Sequence, residues 1–159
     1  MVKFIADSML GKLARWLRIL GVDTLYSENF TDDEIIAIAE REDRIILTCD
    51  HELASRARKC SLKVEFLNLT RLEELLAVLS LRYGFKLDFD PLRTRCPLCN
   101  YPLTLVRDPS SILTTWRPPI KAPIYWVCRR CGHVYWKGKH FIDINRRLTE
   151  AKRLLKLKE

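Results

Sequence analysis

The run Arg44-Ile45-Ile46-Leu47-Thr48-Cys49-Asp50-His51 constrains the fold more than any other stretch of the chain. Ile45 to Cys49 is too short and too apolar for a surface helix, and it opens on two β-branched residues. Such a run reads as a strand buried on both faces, the habit of a parallel sheet. It stops in a carboxylate, Asp50, where a helix should begin. In open α/β sheets the ligand crevice lies outside the carboxyl ends of the strands. Asp50 therefore stands where chemistry is expected.

The rest of the first ninety residues supports this reading. Val2 to Ala6 forms a first strand closed by Asp7. Met9 to Leu20 has helical spacing, with Leu10, Leu13, Leu17 and Leu20 on one side and Gly21 as the stop. Asp23 to Ser27 is a second strand, and Thr31 to about Glu42 a second helix with Ile35, Ile36, Ile38 and Ala39 as its apolar stripe. After Asp50 come a short helix from His51 to about Lys59, a strand from Lys63 to Leu67 and an amphipathic helix from about Arg71 to Arg82. This β-α alternation predicts right-handed crossovers and a parallel sheet with helices on both faces, an α/β fold. No strand is followed by G-x-G-x-x-G or by G-x-x-x-x-G-K-[ST], so neither a dinucleotide site nor a P-loop is supported. From Gly84 to Arg95 the pattern becomes a connector, and Asp143 to Glu159 reads as a terminal basic helix. Three segments are expected: 1–90, 91–142 and 143–159.

Charge is unevenly spread. Residues 1–90 carry 13 Lys and Arg against 16 Asp and Glu, a net of −3. Residues 91–159 carry 15 against 4, a net of +11, which accounts for the overall +8. A basic half of this strength recruits polyanions, nucleic acid first, by releasing condensed counterions. No apolar run approaches the ~20 residues needed to span a bilayer. The first residues have too short an apolar part for a signal peptide, so the expected location is the cytoplasm.

Asp7 and Asp50 each follow a strand, and Asp32, Asp33 and Glu34 lie between the second strand and its helix. In a parallel sheet these junctions share one edge. Carboxylates meeting there repel one another unless a divalent cation such as Mg²⁺ or Mn²⁺ neutralises them. Such an ion activates water and stabilises the oxyanions of phosphoryl displacement. Each acid also has a plainer role: Asp7 and Asp50 are good N-caps, and Thr31 with Glu34 fits a capping box. Lys12 and Arg15, just after Asp7, are placed to hold a phosphate or simply form a solvated helix face.

Two C-x-x-C pairs, Cys96 with Cys99 and Cys128 with Cys131, are separated by 28 residues. In a cytoplasmic protein this spacing points to zinc and not to a disulfide pair. Four thiolates complete a tetrahedral shell with no open position, so the ion is structural. The long gap suggests a β-hairpin extended around Trp116 to Pro119. Cys49, Cys60 and His133 fall outside the ligand set, the two cysteines reading as small buried hydrophobes. Near the second pair, Tyr125, Trp126, Arg129, Arg130, Tyr135, Trp136, Lys137 and Lys139 interleave aromatic with basic residues. That suits RNA, whose bases stack while its phosphates meet cations, although Trp126 serves equally well as ribbon core.

The run Leu47-Thr48-Cys49-Asp50-His51-Glu52-Leu53 resembles the L-T-x-D-x-x-L signature of PIN-type nucleases. The stretch Asp7 to Asp23, with Gly11-Lys12-Leu13-Ala14-Arg15-Trp16-Leu17-Arg18-Ile19-Leu20-Gly21, is similar to the start of the Mut-seven C-terminal RNase domain. That family joins a PIN-like nuclease fold to a zinc ribbon, and the resemblance spans about Val2 to His140. It implies a PIN-like three-layer domain and a small zinc ribbon, to which the residue pattern adds the basic C-terminal helix. It also implies Mg²⁺- or Mn²⁺-dependent hydrolysis of RNA phosphodiester bonds. The implied acids are Asp7, Asp50, one of Asp32, Asp33 or Glu34, and Glu52 near the place of a fourth. The RNA-binding set is Lys12, Arg15, Arg18, Arg129, Arg130, Trp136 and Lys137, and the zinc ligands are Cys96, Cys99, Cys128 and Cys131. The rival reading is a non-catalytic RNA- or ribonucleoprotein-binding module whose acids only cap helices.

Overall fold

A computed structural model describes residues 1–68, 70–111 and 121–158. β1 (Lys3–Ala6), β2 (Asp23–Tyr26), β3 (Ile45–Thr48) and β4 (Val64–Phe66) form a parallel sheet in the order β2-β1-β3-β4. The helices of this part are α1 (Gly11–Ile19), α2 (Asp32–Glu42), α3 (His51–Lys59) and α4 (Leu72–Tyr83). Because side chains alternate across a strand, Phe4, Ala6, Ile45 and Leu47 pack into one cluster with residues of α1 and α4. Ile5 and Ile46 pack on the other face with Ile35 and Ala39 of α2 and Leu53 and Ala57 of α3. The expected α/β architecture with helices on both faces is what the structure shows.

Past the connector, β5 (Leu103–Val106), β6 (Tyr125–Cys128) and β7 (Val134–Trp136) form an antiparallel sheet. Its own core is thin: Val106, Tyr125, Val127 and Val134. The proposed turn around Trp116 to Pro119 lies outside the described residues. The final helix, α5, runs Lys139–Lys156 and thus opens earlier than the expected Asp143. Gly138 precedes it, and Phe141 extends the apolar stripe by packing edge-on to Phe89, ring centroids 4.9 Å apart. α5 docks on the core of the parallel-sheet part, with Leu148 and Ala151 inside the same cluster as Leu72 and Leu76 of α4. The helix expected from Met9 is divided: Ser8–Leu10 is a 3-10 turn, and α1 proper starts at Gly11. Among the described residues no helix is long and apolar enough to cross a membrane.

The two sheets are joined along the β2 edge. An open edge strand is a hazard, and here the loop that follows Cys99 covers it. The Asn100 side chain accepts from the Thr24 amide at 3.1 Å and donates to Asp23 at 2.8 Å. Gly21 carries φ +83°, and a Cβ there would stand 2.7 Å from the Arg93 carbonyl, so only glycine fits this approach. Asp23 also takes the buried Arg44 guanidinium at 2.7 Å, and Arg95 lies 3.7 Å away. Burial works to raise the Asp23 carboxyl, but the bonds from Arg44 and Asn100 and the charges of Arg44 and Arg95 outweigh it and hold it below its ordinary value. A carboxylate depressed in the folded state supplies stability that is complete above its unfolded pKa of about 3.9 and fades as pH falls through the lower folded value. Asp23→Asn should therefore cost roughly 2 kcal/mol near neutral pH, and the urea-midpoint gap to wild type should narrow as pH falls below the unfolded value of about 3.9.

Candidate metal centres at the sheet edge and in the ribbon

Asp7 and Asp50 emerge from the carboxyl ends of the two central strands. Ala6 and Leu47 are register partners, and the Asp7 amide donates to the Leu47 carbonyl at 3.0 Å. Asp7 is 7% exposed. Its Oδ1 accepts from the Ser8 amide at 2.6 Å and its Oδ2 from the Thr48 hydroxyl at 2.9 Å. The same Thr48 oxygen accepts from the Asp50 amide at 2.9 Å, so one hydroxyl links the two strand ends. Asp50 is exposed and caps α3, its Oδ1 accepting from the amides of Glu52 and Leu53 at 2.7 and 3.2 Å. Capping occupies one oxygen of the Asp50 carboxylate.

The three acids that open α2 separate by environment. Glu34 closes a capping box with Thr31. Asp33 is 85% exposed and pairs with Arg56. Asp32, 3.5 Å from Arg56, is the one that senses the others. Burial and then the negative charges of Asp50, Asp7 and Glu52 raise its carboxyl above the ordinary range, against the pull of Arg56. Asp7, Asp32, Asp50 and Glu52 thus share one electrostatic neighbourhood at the strand ends. As they stand they are looser than a closed cage: among the described residues the four cysteines are the one set of three or more such ligands close enough together to hold an ion. Mg²⁺ or Mn²⁺ needs only one or two carboxylates beside waters and phosphate. Carboxylate oxygens are the hard donors such an ion takes.

The sulfur site is compact. All four Sγ atoms lie within 4.8 Å of one another, with Cys96 and Cys131 3.6 Å apart and Cys99 and Cys128 3.4 Å apart. A tetrahedron of ~2.3 Å Zn–S bonds has edges of about 3.8 Å, so the spacing fits a metal such as zinc. All six cysteines are free thiols, against the disulfide alternative. The two loops are built alike. Asn100 donates to the Cys96 carbonyl and Gly132 to that of Cys128, both at 2.9 Å. Both residues have positive φ, 67° and 78°. Burial foremost pushes the Cys131 thiol up to about 12, with bonds from Cys128, Cys96 and Cys99 raising it further and the His133 amide opposing. Four thiolates do not accumulate in this space without a cation. His133 is a neighbour of the set, its Nδ1 3.3 Å from the Cys131 sulfur.

The basic and aromatic residues sort into three groups. Lys12 and Arg15 are exposed and line a cleft with Ser8, Gly11 and Tyr26, beside Asp7. Arg129 and Arg130 are exposed at the tip of the second cysteine loop, and Lys137 lies 4.8 Å over the Phe141 ring. Arg18, expected on an RNA-binding face, is instead 3% exposed and spent on three carbonyls, because the cysteine loop packs over it. Trp126 is also core: it is 3% exposed, donates to the Pro91 carbonyl at 2.8 Å and meets Phe89 edge-on. Trp136 is half-buried against the ribbon core. Cys60 is exposed at the end of α3 and is no core hydrophobe, whereas Cys49 is half-buried and packs against the main cluster. Sequence reasoning missed Thr48, for which a hydroxyl ending an apolar strand was the available signal. Tyr135, grouped there with the aromatics suited to RNA, instead has its hydroxyl 3.2 Å from the Cys96 sulfur.

The sequence model described as Mut7-C RNAse domain matches residues 2–148 of the 159-residue chain. No curated protein and no solved structure matches it.

Proposed function

The chain belongs to the Mut7-C RNAse domain family, and on that premise we propose that it hydrolyses RNA phosphodiester bonds with Mg²⁺ or Mn²⁺ at the sheet edge. The observation that carries this reading is the Thr48 hydroxyl tying buried Asp7 to the amide of Asp50, with Asp32 sensing the charges of both. Asp7, Asp32 and Asp50 would hold the ion, which when bound activates a water and stabilises the leaving oxyanion. Thr48 fixes the carboxylate of Asp7, and Glu52 adds negative charge at the rim. Asp33 is the weaker candidate among the acids because Arg56 already engages it. Lys12 and Arg15 are placed to neutralise phosphates next to Asp7, and the ribbon cations Arg129, Arg130 and Lys137 to extend the grip. The partner is therefore RNA, free or in a ribonucleoprotein, and the ribbon's zinc is structural.

The test is single-turnover cleavage of a labelled structured RNA with Mg²⁺, with Mn²⁺ and with neither. Ion-dependent cleavage is expected. Salt-sensitive binding without cleavage under any of these conditions would leave the chain a binding module. Thr48→Val should slow cleavage about 10- to 100-fold, the range for a residue that orients a ligand without being one. A shift to higher metal requirement should accompany the slower rate.

A further inference from the structure

Arg18 lies at the C-terminal end of α1, in the nuclease half, yet it makes most of its bonds outside that helix. Its Nε donates to the Thr24 carbonyl of β2 at 2.8 Å. Its Nη1 donates to the carbonyls of Pro97 and Leu98, at 2.9 and 3.3 Å, the two residues between the first pair of cysteines. The Arg18 carbonyl in turn accepts from the Arg95 amide at 2.9 Å, one residue before Cys96. A guanidinium this deeply buried costs free energy unless negative charge meets it. Burial works to lower its pKa, and the charges of Cys96 and Cys99 work to raise it.

The reciprocal need comes from the sulfur site. Zn²⁺ with four thiolates carries a net charge of −2, and Cys96 and Cys128 are fully buried. Around such a centre, outer partners fix ligand orientation and affinity. The second cysteine loop has Gly132 at its left-handed position, with open space around it. The first loop has Asn100 there, 7% exposed, and uses its side chain to hold Thr24 and Asp23 on the β2 edge. Two loops with the same backbone pattern thus differ: the first is bolted to α1 and β2, while among the described residues the second makes no such hydrogen bond.

We propose that zinc loading of the ribbon and the seating of α1 and β2 in the nuclease sheet form one coupled equilibrium, with Arg18 as the positioning residue between them. This rests on reading the four cysteines as a zinc site. Zinc fixes the loop whose carbonyls Arg18 holds, and Arg18 balances the charge that zinc and its thiolates bury. Coupling of this kind is reciprocal. Loss of zinc releases the cover of the β2 edge and the end of α1, the helix whose first turns carry Lys12 and Arg15 beside Asp7. The metal state of the ribbon then controls how firmly α1 and β2 are seated in the parallel sheet.

The experiment uses the full chain, with bound zinc first counted by elemental analysis. Zinc transfer to a chromogenic chelator is expected to be about 10- to 100-fold faster in Arg18→Met, with Arg18→Lys between that variant and wild type. Ile35→Ala, in α2 on the opposite face, lowers overall stability and should release zinc within twofold of wild type. Hydrogen exchange of zinc-stripped wild type should rise in β2 and the second half of α1 and stay unchanged in α2 and α3. Release from Arg18→Met within twofold of wild type, or equal acceleration in Ile35→Ala, overturns the coupling. So does unchanged protection of β2, or equal loss of protection in α2 and α3. Where Arg18→Met does not fold, the exchange of stripped wild type decides alone. Wild type that carries no zinc overturns the metal reading and the coupling together.

Discussion

Replacing Asp7 by Asn should lower ion-dependent RNA cleavage roughly a thousandfold while leaving the fold in place. A bound cation contributes several kcal/mol of transition-state stabilisation, and each 1.36 kcal/mol is tenfold in rate. Asn has nearly the shape of Asp and can still accept from Ser8 through its single oxygen. It turns an NH₂ toward Thr48, however, where Asp7 Oδ2 now accepts from the hydroxyl at 2.9 Å. The site loses a formal charge and its second oxygen together. The comparison that gives the result meaning is Asp33→Asn, which should cut within a few-fold of wild type, because that side chain is exposed and held by Arg56. Asp32→Asn should fall with Asp7→Asn. Rates are measured in single turnover with the ion titrated. Asp7→Asn that cleaves within tenfold of wild type would place the activity elsewhere, in another centre or another protein.

Those contrasts mark where the sequence stopped being legible. The short apolar run at β3 announced a doubly buried strand, and its end announced an acid at the sheet edge, because both are local consequences of pattern. The choice among Asp32, Asp33 and Glu34 was not local. Three adjacent acids at a helix start look alike until their partners, distant in the chain for Asp32 and Asp33, decide that Glu34 caps, Asp33 meets Arg56 and Asp32 senses the charge of Asp50. The tetrathiolate was readable from spacing alone, since four ligands in two C-x-x-C loops admit few alternatives. Arg18 was misread for the opposite reason. In sequence it belongs to a row of cations on an amphipathic helix with Lys12 and Arg15, and nothing near it announces that a loop some eighty positions away, at Pro97 and Leu98, will close over it. Trp126, open in sequence between base stacking and ribbon core, was decided in the same way, by a connector carbonyl and Phe89. Partners distant in the chain decide burial, and burial decides whether a charge or a ring belongs to the surface.

Substitution of Cys128 by Ser should unfold the ribbon while leaving the helices on the far face of the nuclease sheet standing. The ribbon's own buried cluster has only Val106, Tyr125, Val127 and Val134. At ~1.5–3 kcal/mol for each fully buried large side chain, that does not cover the cost of ordering its strands, about 1–2 kcal/mol for the backbone of each residue. Zinc bound by the four cysteines would supply the difference, on the order of 10–16 kcal/mol for a structural site near neutral pH. A serine hydroxyl is not a thiolate and holds zinc poorly. Trp126, buried against Phe89 and bonded to Pro91, then enters water and its emission shifts to longer wavelength. The cluster of Ile5, Ile35, Ile46 and Leu53 contains no ribbon residue, so protection of α2 and α3 against hydrogen exchange should persist. A Cys128→Ser protein that binds zinc stoichiometrically and keeps a buried Trp126 would mean that the ribbon folds on packing alone, and the thiolates would then need another purpose.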